Sequence, residues 1–183
     1  MGTRATRPPL TGAGPPTSLW SASSGRARGT VGATLGCHNG RVEPRISLVT
    51  LGVANLERSF HFYRDGLGLP TTGDPSAGVV FFQTTGVTLA LYPYRDLADD
   101  VGPGWNVPPA KFAGITLAHN VRERQEVDGV LALALAAGGV VVKPACATTW
   151  GGYSGYFTDP DGYLWEVAWG AFEIREDGSL AVP

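Results

Sequence analysis

Gly155-Tyr156-Phe157-Thr158-Asp159-Pro160-Asp161-Gly162-Tyr163-Leu164-Trp165-Glu166 reads as two strands folded back on each other. Aromatic and β-branched residues on either side of Asp-Pro-Asp-Gly predict a hairpin over 152–158 and 163–169, with Pro160 and Gly162 at turn positions that restrict or relax the backbone. Asp159 and Asp161 look like an acidic pair for a metal, but their place in that turn assigns them to turn formation. Working back along the chain, Val140–Val142 gives a further strand. Before it, 122–137 is an Ala- and Leu-rich helix stopped by Gly138-Gly139, and 112–121 is a strand.

The first half runs in the same order. Ile46, Leu48, Val49, Leu51 and Val53 form a strand, and Asn55 stands as N-cap of a helix whose Leu56, Phe60 and Tyr63 recur at i, i+4 and i+7 up to Gly66. Two strands, 79–84 and 87–92, follow around Thr85-Gly86, and a loop rich in Pro and Gly spans 93–109. The chain therefore reads as α+β: module one over about 45–108, module two over about 112–170, and a short C-terminal tail.

Composition narrows the function classes. Hydrophobic residues make up 43% and charged residues 16%, enough apolar material for a core over 42–183. No apolar run approaches the roughly 18 residues of a membrane span. The formal charge is −2, yet all sixteen acidic residues follow position 40 while Arg4, Arg7, Arg26 and Arg28 precede it, so residues 41–183 carry −6. Such a domain offers no basic field for nucleic acid and favours neutral or cationic ligands. Residues 1–41, rich in Gly, Pro, Ser and Ala without apolar periodicity, read as a disordered leader upstream of the domain. Its opening fits the short myristoylation pattern by chance, and it lacks the spacing of a transit peptide or secretion signal. Two cysteines make no disulfide framework, which predicts the cytoplasm. Cys37-His38 has no further ligands nearby, and Cys146 has no adjacent His to activate it.

Two motifs carry a family resemblance. Leu56-x-x-Ser59-x-x-Phe62-Tyr63-x-x-x-Leu67-Gly68-Leu69 and Gly155-Tyr156-Phe157-x-Asp159-Pro160-Asp161-Gly162-x-x-Trp165-Glu166, in this order and separation, resemble the vicinal oxygen chelate superfamily. That group includes glyoxalase I, extradiol dioxygenases, fosfomycin-resistance enzymes and the bleomycin-resistance binding proteins. The resemblance implies two tandem βαβββ modules whose curved sheets form a cleft, commonly within a homodimer. It also implies four metal-ligand positions, which fall on Leu48, Ala90, Thr116 and Glu166. Only Glu166 can donate to a metal, and one carboxylate cannot replace the hydration shell of a divalent ion. No cofactor is therefore expected.

The expected ligand-binding set is Leu48, Thr50, Ala90, Tyr92, Thr116, Trp150, Tyr153, Tyr156 and Glu166. Period-2 alternation places Thr88 and Tyr92 beside Ala90, and Leu164 and Ala168 beside Glu166, while His119 falls on the opposite face from Thr116. Trp150, Tyr153 and Tyr156 concentrate aromatic area beside glycines, suited to a flat or cationic ligand. Trp105 reads as either a lid or a loop anchor. The sequence thus points to a small-molecule binding protein of the glyoxalase and bleomycin-resistance kind, working without metal. The alternative is a divergent lyase, isomerase or dioxygenase with Glu166 as catalytic base, and a third reading is a dimeric scaffold with a vestigial cleft.

Overall fold

The β-branched run of the first half becomes strand β1 (Leu48–Val53) in the computed structural model, which describes residues 45–107, 112–170 and 172–181. The leader, including Cys37 and His38, lies outside the described residues. Asn55 caps α1 (Leu56–His61) as expected: its side chain accepts the Arg58 N–H at 2.9 Å. The helix runs on into one π-helical turn, Phe62–Gly66. Gly66 is required there by close approach, since a Cβ would stand 2.2 Å from the Cβ of Ala137.

Strands β2 (Val80–Phe82) and β3 (Thr88–Pro93) complete sheet A in the order β1-β3-β2, with β1 parallel and β2 antiparallel to β3. Alongside β2, Pro70 accepts the Gln83 N–H at 2.9 Å and the Thr71 hydroxyl donates to the Phe81 carbonyl at 2.6 Å. Residues 70–73 thus flank the sheet without forming a regular strand.

The stretch expected to be loop contains a helix, α2 (Tyr94–Val101). Its Tyr94, Leu97 and Val101 recur at i, i+3 and i+7, a period masked in the sequence by the surrounding Pro and Gly. Gly52 lets this helix lie on sheet A: a Cβ there would meet Tyr94 Cδ2 at 3.1 Å and Leu97 Cδ2 at 3.2 Å.

Module two comprises β4 (Leu117–Asn120), α3 (Arg124–Ala136), β5 (Val140–Ala147), β6 (Tyr153–Thr158) and β7 (Leu164–Trp169). Its sheet B has the order β4-β7-β6-β5, with β4 parallel to β7. β4 is shorter than the 112–121 run suggests. β5 is longer than expected and irregular in register between Val141 and Cys146; Pro144, which has no N–H to donate, is tolerated because β5 is an edge strand. α3 begins with a capping box in which Glu123 and Glu126 serve each other's backbone N–H. The tail adds a small hairpin of β8 (Glu173–Ile174) and β9 (Leu180–Ala181), held by Arg122 donating to the Ile174 and Arg175 carbonyls.

One core serves both modules. Phe62 and Tyr63 leave module one to pack on Phe157 and Trp165 of sheet B, with ring centroids 6.3 Å and 6.0 Å apart. The β6–β7 turn then locks the modules together. Asp159 is buried and accepts the Tyr63 hydroxyl at 2.6 Å together with the N–H groups of Asp161 and Tyr163. Asp161 accepts the Ala54 N–H at 2.8 Å, the Arg58 guanidinium at 2.6 Å and the Ser59 hydroxyl. Turn formation is thus only part of what these two aspartates do. Four of these groups belong to module one.

Candidate functional site

Both sheets send one face into this core; on the other face α2 covers the Gly52 end of sheet A, and the small Ala90 and Ala168 are buried. In sheet A, Leu51, Val53, Leu89 and Leu91 point inward. The alternate residues form the open floor, with Leu48 opposite Thr88, Thr50 opposite Ala90 and Gly52 opposite Tyr92. Phe81 on β2 stands opposite Ala90 and is 50% exposed. Apart from its two threonines and the Tyr92 phenol this floor is apolar. Tyr92 reaches toward α2, and burial together with the charges of Asp100 and Asp96 raises its pKa.

In sheet B, Phe157, Trp165 and Val167 face the core, and the open floor carries charge. Ala118, Glu166, Tyr156 and Lys143 stand opposite one another on β4, β7, β6 and β5, a straight row across all four strands. The Tyr156 phenol is pushed up to about 12, first by burial and then by its interaction with the Glu166 carboxylate, so it stays protonated as a donor at neutral pH. Lys143 Nζ lies 5.4 Å from the Tyr156 ring centroid.

A cavity of about 940 Å³ lies between β1, the start of α2, residues 112–117 and the β6–β7 turn. Thr50, Gly52, Tyr94, Ile115, Leu117 and Leu164 line it, and Arg95 and Asp96 also border it. Leu164 belongs to the same face of β7 as Glu166, two residues on, but Ala118, Glu166, Tyr156 and Lys143 themselves stand outside the cavity lining.

Placed on this frame, the expected residues divide. Leu48, Thr50, Ala90 and Tyr92 share the floor of sheet A, and Tyr156 and Glu166 share that of sheet B. Thr116 is exposed immediately before β4. Tyr153 is a correction: it falls on the helix side of β6, where the Arg124 guanidinium covers its ring at 3.9 Å and its hydroxyl reaches Asp128 of α3 at 3.3 Å. Tyr156 lies three positions on, an odd step that alternation sends to the other face. Trp150 is 50% exposed in the β5–β6 connection, its ring lying against Gly152. Trp105 is 63% exposed, so it does not anchor its loop. The sequence reading had no place for Lys143, Tyr94 or Ile115. Tyr94 was hidden with α2, and Lys143 was hidden by the irregular register of β5, which breaks simple alternation.

The four implied metal positions do not fit a divalent ion. Leu48 and Ala90 have no donor atoms and Thr116 a weak one, leaving Glu166 alone. Among the described residues no group of three or more His, Cys, Asp or Glu is placed to hold a metal. His61 instead pairs with Asp65 at 2.6 Å on the helix surface, and His119 sits opposite Val167 on the helix side of sheet B, its pKa lowered by burial.

Known proteins share this arrangement. The chain matches the profile of the Glyoxalase/Bleomycin resistance protein/Dioxygenase superfamily over residues 45–167. It is similar to a glyoxalase-related enzyme from Fulvimarina pelagi, at 35% identity and a TM-score of 0.68, covering 76% of this chain and 99% of that one. A glyoxalase/bleomycin resistance protein/dioxygenase from Nocardioides shares the fold at 24% identity and TM-score 0.59, over 70% of this chain and 85% of its own. A lactoylglutathione lyase from Agrobacterium tumefaciens does so at 24% and 0.53, over 70% and 96%. No curated protein matches. The paired modules, the two motifs at their junction and the profile spanning both together establish that the chain belongs to the glyoxalase/bleomycin resistance protein/dioxygenase superfamily.

Proposed function

We propose that this protein binds a small organic molecule in the cleft between its sheets without the divalent ion of metal-dependent relatives. The cavity of about 940 Å³ carries this reading: its size suits a small-molecule site, and aliphatic and aromatic groups dominate its walls, with a few polar groups to orient a ligand. The donor-poor set Leu48, Ala90 and Thr116 supports binding that does not pass through a metal. A homodimer in the cytoplasm completes the proposal.

The test is ligand-induced stabilisation and Trp fluorescence change with a panel of aromatic compounds, run with chelator and again with Ni, Zn, Mn or Fe(II). Saturable responses with chelator present, lost when Thr50→Trp fills the cavity, are expected. A response that requires metal, or one that Thr50→Trp leaves unchanged, would overturn the reading.

The placement of Tyr156 beside Glu166 favours one second reading, catalysis by a lyase or isomerase of the same superfamily. A protonated phenol facing a carboxylate orients it as a proton acceptor. The similarity to a glyoxalase-related enzyme also supports it. Under this reading Glu166→Gln abolishes turnover while the protein stays folded; unchanged turnover removes it.

A further inference from the structure

The open floor of sheet B presents two opposite charges that do not meet. Lys143 and Glu166 stand in the same cross-strand row but two strand spacings apart, roughly 10 Å between backbones, with the Tyr156 ring between them. Among the described residues no carboxylate lies within ion-pair distance of Lys143, whose neighbour is the face of the Tyr156 ring. Glu166 has the Tyr156 phenol as its neighbour and, among the described residues, no cation in ion-pair contact. Ion pairs do form elsewhere among the described residues, as with Arg58 and Asp161 or Arg64 and Asp65. Here a cation, a flat aromatic ring and an anion share one cross-strand row on the face away from the core, on the same side of β7 as the cavity-lining Leu164.

The geometry points to Lys143, Tyr156 and Glu166 as a binding site for a small zwitterionic aromatic molecule. Its ring lies over Tyr156, its ammonium group meets Glu166 and its carboxylate meets Lys143. The charge pattern disfavours simpler ligands relative to a zwitterion. A plain anion would gain Lys143 but face Glu166 and the net charge of −6 over residues 41–183; a plain cation would gain Glu166 but face Lys143. Only a ligand carrying both signs satisfies both ends, each through a charge-assisted hydrogen bond. The sheet sets the spacing of the two backbones, and the flexible Lys143 stem adjusts the reach of its ammonium to the ligand. This inference rests on the small-molecule reading above and gives it a substrate class, an aromatic amino acid or a molecule with the same charge pattern.

Three rigid probes test it on the full chain by calorimetry: 4-(aminomethyl)benzoate, which carries both charges, benzylamine, which lacks the carboxylate, and 4-methylbenzoate, which lacks the ammonium. The zwitterion is expected to bind about tenfold more tightly than either single-charge probe, the effect of one charge-assisted hydrogen bond. Lys143→Met should reduce it to the affinity of benzylamine, and Glu166→Gln to that of 4-methylbenzoate. Both residues lie on the open floor, and unchanged thermal unfolding confirms that the variants are folded. Equal affinities for the three probes, zwitterion binding indifferent to Lys143→Met, or no binding up to the solubility limit would each overturn the inference. Toluene, run in parallel, separates the two failures. If toluene binds and Thr50→Trp abolishes that binding while the zwitterion fails, the charged row is wrong and the cavity stands; if toluene also fails, the cavity reading falls with it.

Discussion

The β2–β3 and β6–β7 hairpins hold equivalent places in the two modules, yet they are built on different principles. The first turns through Thr85-Gly86, both exposed, closed by the Thr84 hydroxyl donating to the Val87 carbonyl. It is complete within its own module. The second turns through Asp-Pro-Asp-Gly and commits its carboxylates to the other module, gathering donors from Ala54, Arg58, Ser59 and Tyr63. A hairpin that serves only itself needs a backbone-permissive residue, whereas one that joins modules needs buried acceptors matched to donors many residues away.

Asp159→Ala should break this contrast most severely. It strips the acceptor from the Tyr63 hydroxyl and from two backbone N–H groups in a buried site, a loss of about 3 kcal/mol or more read by chemical denaturation. Asp161→Ala comes next, at about 2 kcal/mol, because it orphans the Ala54 N–H and leaves the Ser59 hydroxyl only the Asn55 carbonyl as acceptor. The Arg58 partner adds little to that figure, since its side chain is 47% exposed. Gly86→Ala in the self-contained hairpin should cost about 1 kcal/mol: a Cβ there meets nothing within 4 Å, so the penalty is that of a positive φ, 83°, alone. If Gly86→Ala proved as damaging as Asp159→Ala, the two hairpins would not differ in kind.

The same contrast explains what the sequence disclosed. Element types along β1, α1, β6 and β7 followed from local periodicity and caps, and the alternation around Ala90 and Glu166 located both open floors. Local pattern also identified Asp-Pro-Asp-Gly as a turn. It could not show that Ser59 of α1 and Tyr63 of the π-helical turn after it present hydroxyls to that turn, because the contact joins positions about a hundred residues apart. α2 was lost for the opposite reason: its flanking Pro and Gly are strong local signals, and they outweighed a short apolar stripe whose partner, Gly52, lies on another strand. Lys143 was missed because the irregular β5 register decides which face it occupies, and nothing in Val142-Lys143-Pro144 announces that register.

The smallest expected effect concerns protons, and it sets Asp159 against the exposed Asp65. Burial raises the pKa of Asp159 above 3.8, with the Tyr63 and backbone hydrogen bonds holding it down in part and the Asp161 charge adding to the rise. The folded state therefore keeps its proton to higher pH than the unfolded chain. Between 3.8 and the raised value the folded state binds more protons, so this group's contribution to stability falls as pH rises through that window, by less than about 1.4 kcal/mol per pH unit. Asp65 runs the other way. Arg64, and after it His61, lower its pKa to about 2, so its contribution is present above 3.8 and is lost as pH falls toward 2. Denaturation curves of the wild type and Asp159→Asn across this range isolate the buried group, because the amide does not titrate. The stability of the wild type relative to Asp159→Asn should decline with rising pH. A relative stability that rises with pH instead would mean that the hydrogen bonds to Asp159 outweigh its burial, and that the module junction is held by a fully ionised carboxylate.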